Sequence, residues 1–161
     1  MNLANNQNAV NALLAEYEKT IVALQDVIED ISDADLAFVV DSETQNPDCQ
    51  SIQTVLAHVV SSGYSYNIYI QKLKNKNIER PLKTNRNSVS EYKNDLDKVI
   101  QFTYETFSTI ADNELEEFDN TKKINTSWGQ IYDIEQLMEH AIVHILRHRR
   151  QIEKFKVALQ K

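Results

Sequence analysis

The 161-residue sequence predicts an all-α fold, a four-helix bundle, on three observations. Only two glycines and two prolines occur, too few for a hairpin-rich β fold, which needs turn residues about every ten positions. Four segments repeat apolar residues at helical spacing. Two of them open on a pattern in which a Ser or Asp is followed three residues later by Glu or Gln. Hydrophobic residues at 42% and charged residues at 25% match a globular chain and argue against disorder. The length suits one domain over residues 1–161 with a real core.

The first helix is expected from about Asn6 to Ile31, with Val10, Leu13, Leu14, Tyr17, Ile21, Leu24, Ile28 and Ile31 forming one apolar stripe. The second is expected from about Cys49 to Leu73, with Asp48 as its N-cap and Ile52, Val55, Leu56, Val59, Tyr66, Ile70 and Leu73 on one side. The third begins at the box Ser88-Val89-Ser90-Glu91 and carries Tyr92, Leu96, Val99, Ile100, Thr103, Phe107 and Ile110. The fourth begins near Asp133-Ile134-Glu135-Gln136 and runs to about Leu159 along Ile134, Leu137, Met138, Ala141, Ile145, Ile152, Phe155 and Leu159. Four stripes of similar length bury one another best in a bundle.

Residues 76–87 are long enough to run the length of such a bundle, which allows the second and third helices to be parallel. Leu36-Ala37-Phe38-Val39-Val40 is a short apolar run that can pack as an extended segment or a helical turn. Residues 113–131, with Trp128-Gly129, form the longest gap, and long loops in compact domains often cover a site.

A net charge of −7 repels phosphate backbones, so nucleic acid is not an expected partner. Lys72, Lys74 and Lys76, and Arg147, Arg149 and Arg150, read as solvated helix faces. No apolar run approaches the ~20 residues of a membrane span. Met1 to Asn6 lacks the basic start and hydrophobic stretch of a secretory signal. A lone Cys49 suits a reducing compartment, so the expected location is cytoplasmic. Nothing near Cys49 in the sequence marks it as a nucleophile.

Three of the four histidines, His140, His144 and His148, recur every fourth residue of the last helix. Residues four apart share a helix face, so adjacent members can ligate one ion from successive turns. At about 100° per residue, His148 lies about 25° from the centre of the apolar stripe, His144 about 65° and His140 about 105°. The inward pair is therefore His144 with His148. His58, in Val55-Leu56-Ala57-His58-Val59-Val60, borders its own helix's stripe. It is either a hydrogen-bonded edge residue or the third ligand that the pair requires, and the residues alone leave both readings open.

His144-Ile145-Leu146-Arg147-His148-Arg149-Arg150-Gln151 resembles the last-helix signature of the DinB-like (YfiT-like) superfamily, with Leu137-Met138-Glu139-His140 as its upstream turn. Val55-Leu56-Ala57-His58-Val59 is similar to that family's second-helix ligand segment, and Trp128-Gly129 fits its lead-in to the final helix. The resemblance implies a four-helix bundle with a long crossover between helices two and three. It implies a divalent metal site at His58, His144 and His148, leaving His140 out, with nickel or zinc the first expectations and iron, manganese or copper compatible. Arg150 stands where the family often has glycine, and the wheel points it away from the ligand face. Homodimerisation is a further implication.

Three neutral imidazoles leave coordination open, as catalytic sites do, and a bound ion lowers the pKa of a water or thiol. Gln151, about one turn beyond His148, is placed to orient a ligand or substrate. Members of the resembled family include transferases that attach a low-molecular-weight thiol to an electrophile and others that look like hydrolases. The competing expectation is a non-catalytic helical module that holds a metal or small molecule, with a role in a stress response. No general base is identifiable, since Glu139 falls on the outer side of its helix.

Overall fold

The computed structural model describes residues 8–160. Its helices are α1 (Asn8–Ile28), α2 (Asp33–Ala37), α3 (Ile52–Leu73), α4 (Val89–Phe107) and α5 (Ile134–Leu159). The two-residue strands β1 (Ile124–Asn125) and β2 (Ile131–Tyr132) pair antiparallel. The expected helix start at Asn6 lies outside the described residues. At the other end α1 stops at Ile28, where Ile31 N–H donates to Ile28 O at 3.1 Å and turns the chain toward α2.

The four long helices are arranged so that each apolar stripe meets two others. Gln53 of α3 meets Tyr92 of α4, Asn67 meets Thr103 and Gln71 meets Thr106, so residue numbers rise together and these helices are parallel. His58 instead meets His148 while Tyr66 meets His140, so α3 and α5 are antiparallel. Glu18 with Tyr104 and Gln25 with Asp97 make α1 and α4 antiparallel as well. A parallel α3–α4 pair obliges residues 74–88 to return along the bundle, which is the long crossover. No described helix is long and apolar enough to cross a membrane.

The stripes bury as their spacing predicts, with Leu13, Ile31, Ile100 and Leu159 partly buried against the core and Leu73 exposed. Leu73 is 40% exposed because α3 ends there, one turn beyond the last core residue, Ile70. The two boxes form: Ser88 Oγ accepts from Glu91 N–H, and Asp133 Oδ1 accepts from Gln136 N–H. Asp48 does not cap the second long helix. Ser51 does, its Oγ accepting from Thr54 N–H while Thr54 Oγ1 accepts from Ser51 N–H, both at 3.1 Å. Threonine can return the hydrogen bond that Glu or Gln makes in the usual box, and this moves the helix start to Ile52. Asp48 lies instead in the 3₁₀ turn Pro47–Cys49, where its carboxylate is free for another partner.

The run at Leu36–Val40 splits its burial. Ser32 caps the single turn of α2, which buries Leu36 fully and leaves Phe38 and Val39 exposed. In the long gap before α5, Thr126 hydroxyl and N–H both donate to Gln130 O, closing a small hairpin with Trp128 at its tip. Gly129 adopts φ +87°, a left-handed conformation that glycine takes without a Cβ clash.

Candidate metal centre

His58 reaches the site from the second turn of α3, and His144 and His148 from consecutive turns of α5. The antiparallel packing of these two helices brings the rings together. His144 Nε2 lies 2.9 Å from His58 Nε2 and 3.2 Å from His148 Nε2. One nitrogen from each ring falls within 4.8 Å of the others. His144 is 7% exposed and His148 5%. Both are buried, so His144 lies deeper than a flanking position on the wheel suggested.

The outer nitrogens decide what the inner ones present. His58 Nδ1 is 3.3 Å from Asp48 Oδ2, and a carboxylate only accepts, so the ring proton belongs on Nδ1. His148 Nδ1 is 2.9 Å from Gln151 Oε1, which places its proton on Nδ1 in the same way. Each ring then directs an Nε2 lone pair at His144 Nε2. A neutral His144 carries one ring proton and cannot satisfy both lone pairs well, and its own Nδ1 is buried without a hydrogen-bond partner. Convergent lone pairs repel one another, and a cation resolves the conflict. Nitrogens each about 2.0–2.1 Å from a shared ion lie roughly 3 Å apart, which matches the two distances to His144 Nε2.

Electrostatics hold the imidazoles in the ligating form. Burial pushes the pKa of His144 down to about 2, with His148, His58 and Arg147 adding repulsion of a proton. Burial also lowers His58 and His148; Asp48 opposes it at the first and the Gln151 hydrogen bond at the second. All three rings are neutral near pH 7, as metal ligation requires. Asp48 in turn is held by Lys83, so the carboxylate–imidazole pair is fixed from outside.

The rings form part of the wall of a cavity of about 1140 Å³ between α3, α5 and the hairpin. Among the described residues no fourth His, Cys, Asp or Glu joins the cluster, which leaves the cavity side open. His140, the histidine left out of the expected set, stacks on Trp128 with centroids 5.1 Å apart and planes at 24°. Tyr66 and Tyr69 meet the Trp128 ring edge-on, and Tyr69 Oη accepts from Ser127 N–H at 2.8 Å. The long gap thus supplies one wall of the cavity, as its length suggested. Cys49 lines the cavity without entering the cluster. Glu139 is exposed, as expected, while Arg150 borders the cavity rather than facing away from it.

Of the functional neighbours, Gln151 was visible from its spacing to His148, whereas Asp48 was not. Its ten-residue separation from His58 matches no helical period, because a cap and a 3₁₀ turn intervene. No curated protein and no solved structure matches the chain. The model described as "DinB family" matches residues 3–155, and the chain belongs to the DinB family.

Proposed function

We propose that this protein is a metal-dependent enzyme that holds one divalent ion, nickel or zinc, at His58, His144 and His148 and transfers a small thiol to an electrophile. The observation that carries the reading is the convergence of three imidazole nitrogens at the wall of an open cavity. A divalent ion held by neutral imidazoles lowers the pKa of the group bound to it. Asp48 and Gln151 keep the His58 and His148 protons on Nδ1, so their Nε2 lone pairs stay available. The aromatic wall of Trp128, Tyr66 and Tyr69 narrows access by water and offers a face to an apolar electrophile.

Thiol transfer is preferred to hydrolysis because, among the described residues, no Asp or Glu lines the cavity. A thiol ionises at about pH 8.5 unaided and water at about 15.7, so a metal-bound thiol needs the smaller shift to become a nucleophile at neutral pH. Cytoplasmic location and homodimerisation are further proposals. Sedimentation showing only the monomer mass at high concentration rejects the dimer.

The test begins with metal analysis of purified protein, followed by a thiol and a small electrophile with and without chelator. The expected result is about one divalent ion per chain, turnover abolished by chelation, and recovery on adding nickel or zinc. Metal content near zero after loading, unchanged by His148→Ala, rejects the centre. Bound metal without turnover on thiol–electrophile and ester panels supports a non-catalytic binding module instead.

A further inference from the structure

The cavity beside the imidazoles differs in charge from the rest of this acidic protein. Lys72 of α3, Arg80 of the crossover, and Arg147, Arg150 and Lys154 of α5 line it, and among the described residues no carboxylate does. None of these five has an Asp or Glu oxygen within 4.0 Å among the described residues. Every other described lysine or arginine has one, except Lys76 and Lys123. Asp48, beside the imidazoles, is already shared between His58 and Lys83.

The clustering follows from geometry that no single helix reveals. Arg147, Arg150 and Lys154 recur at steps of three and four along one face of α5. The antiparallel α3 and the returning crossover bring Lys72 and Arg80 to the same opening. Read from the sequence, the lysines and arginines of these segments are solvated charges; in the fold, five from three segments face one volume. Like charges gathered this way repel, and a divalent ion beside them adds to the imbalance. All five are exposed, so water and salt screen part of it, and a negative ligand seated among them removes the rest. The opposite wall, where Trp128 stacks on His140, is flat and aromatic.

We infer that the cavity takes a small organic anion, its carboxylate or phosphate groups held by Arg147, Lys154 and Arg80 and its flat body laid against Trp128. Guanidinium and ammonium groups recognise both oxyanions through charge-assisted hydrogen bonds. A polyanionic macromolecule is the poorer fit, because the protein's net charge of −7 repels it outside the cavity. The inference rests on the reading of this cavity as the substrate site and adds the class of substrate.

Trp128 is the protein's single tryptophan, so its fluorescence reports directly on the cavity. Isophthalate, phenyl phosphate and neutral isophthalamide would be titrated into chelated and zinc-loaded protein, with calorimetry as a second readout. At least one anion should bind at least about tenfold tighter than the diamide in both forms, and added salt should erode the preference. The ratio between the two anions separates carboxylate from phosphate recognition. Arg147→Gln combined with Lys154→Gln should reduce the preference about tenfold, whereas Lys19→Gln combined with Lys122→Gln, an equal charge change at exposed sites outside the cavity, should leave it intact. Equal binding of the diamide, no binding of either anion to folded protein, or a preference that survives the double substitution overturns the inference. Failure of zinc binding with anion selectivity intact rejects the metal centre alone.

Discussion

Helix α3 has two seams, and they treat polar groups in opposite ways. Toward α4, Asn67 Nδ2 donates to Gly63 O at 2.9 Å and to Thr103 Oγ1 at 2.8 Å, while Gln71 Nε2 donates to Thr106 Oγ1 at 2.8 Å. Each threonine passes its own proton back to a backbone carbonyl one turn earlier. Toward α5, the same helix presents His58 to two buried imidazoles whose lone pairs converge. The first seam is packed tight and hydrogen-bonded apart from Asn67 Oδ1, which is buried without a partner; the second keeps its polar groups in conflict at the edge of a cavity. A buried polar conflict costs stability unless a ligand resolves it, so the difference separates the part of the bundle that holds the fold from the part that binds.

The largest effect expected from breaking this contrast comes from acid. A histidine with a lowered folded pKa contributes stability that is present above its unfolded pKa of about 6.5 and lost as the pH falls below it. With His144 held near 2, the chelated protein should lose about 2 kcal/mol between pH 6.5 and about 4.5 from this group alone. Urea titrations across that range check it, and a flat profile would show that His144 protonates freely in the folded state. Bound metal should protect until protons displace it.

Removal of a ligand comes next. Structural zinc sites bind with about 10–16 kcal/mol over four ligands, so His148→Ala should weaken zinc binding by more than about 100-fold. Competition against a fluorescent chelator measures this. Asp48→Asn acts one shell out, because an amide can present its N–H to His58 Nδ1 and favour the wrong tautomer. A loss of about 10–100-fold in zinc affinity is expected, with the fold unchanged. An affinity equal to wild type would mean that the carboxylate does not set the ring proton.

The other seam should respond in stability and not in metal binding. A Cβ on Gly63 would stand 2.5 Å from Val99 Cγ1 and 3.3 Å from Tyr17 Oη. Gly63→Ala should destabilise by about 1–2 kcal/mol, since overpacking outweighs the gain in helix propensity. Val99→Ala in the same chain should recover part of that loss. Thr103→Val, the mildest change, removes the acceptor of the Asn67 bond and should cost about 1 kcal/mol. Zinc affinity moving in parallel with either substitution would show that the seams are coupled.

Much of the fold was legible in the residues because helices encode themselves locally. The stripe from Val10 to Ile28, the boxes at Ser88–Glu91 and Asp133–Gln136, and the one-turn spacing of His144 and His148 all follow from a 3.6-residue period. The start of α3 was misplaced because Ser51 and Thr54 make a box without an acidic partner. The hairpin at residues 124–132 escaped because two-residue strands are too short to show alternation.

The sequence by itself therefore determined the helices, the inward pair on α5 and the exclusion of His140 from that pair, since each depends only on positions within one helix. The tertiary structure decided which groups meet: His58 with the pair, Asp48 with His58, and five cations around one cavity. Those meetings depend on helix directions, on the returning crossover and on where a cap starts α3. A helical period relates residues along one axis, and only packing relates one axis to another.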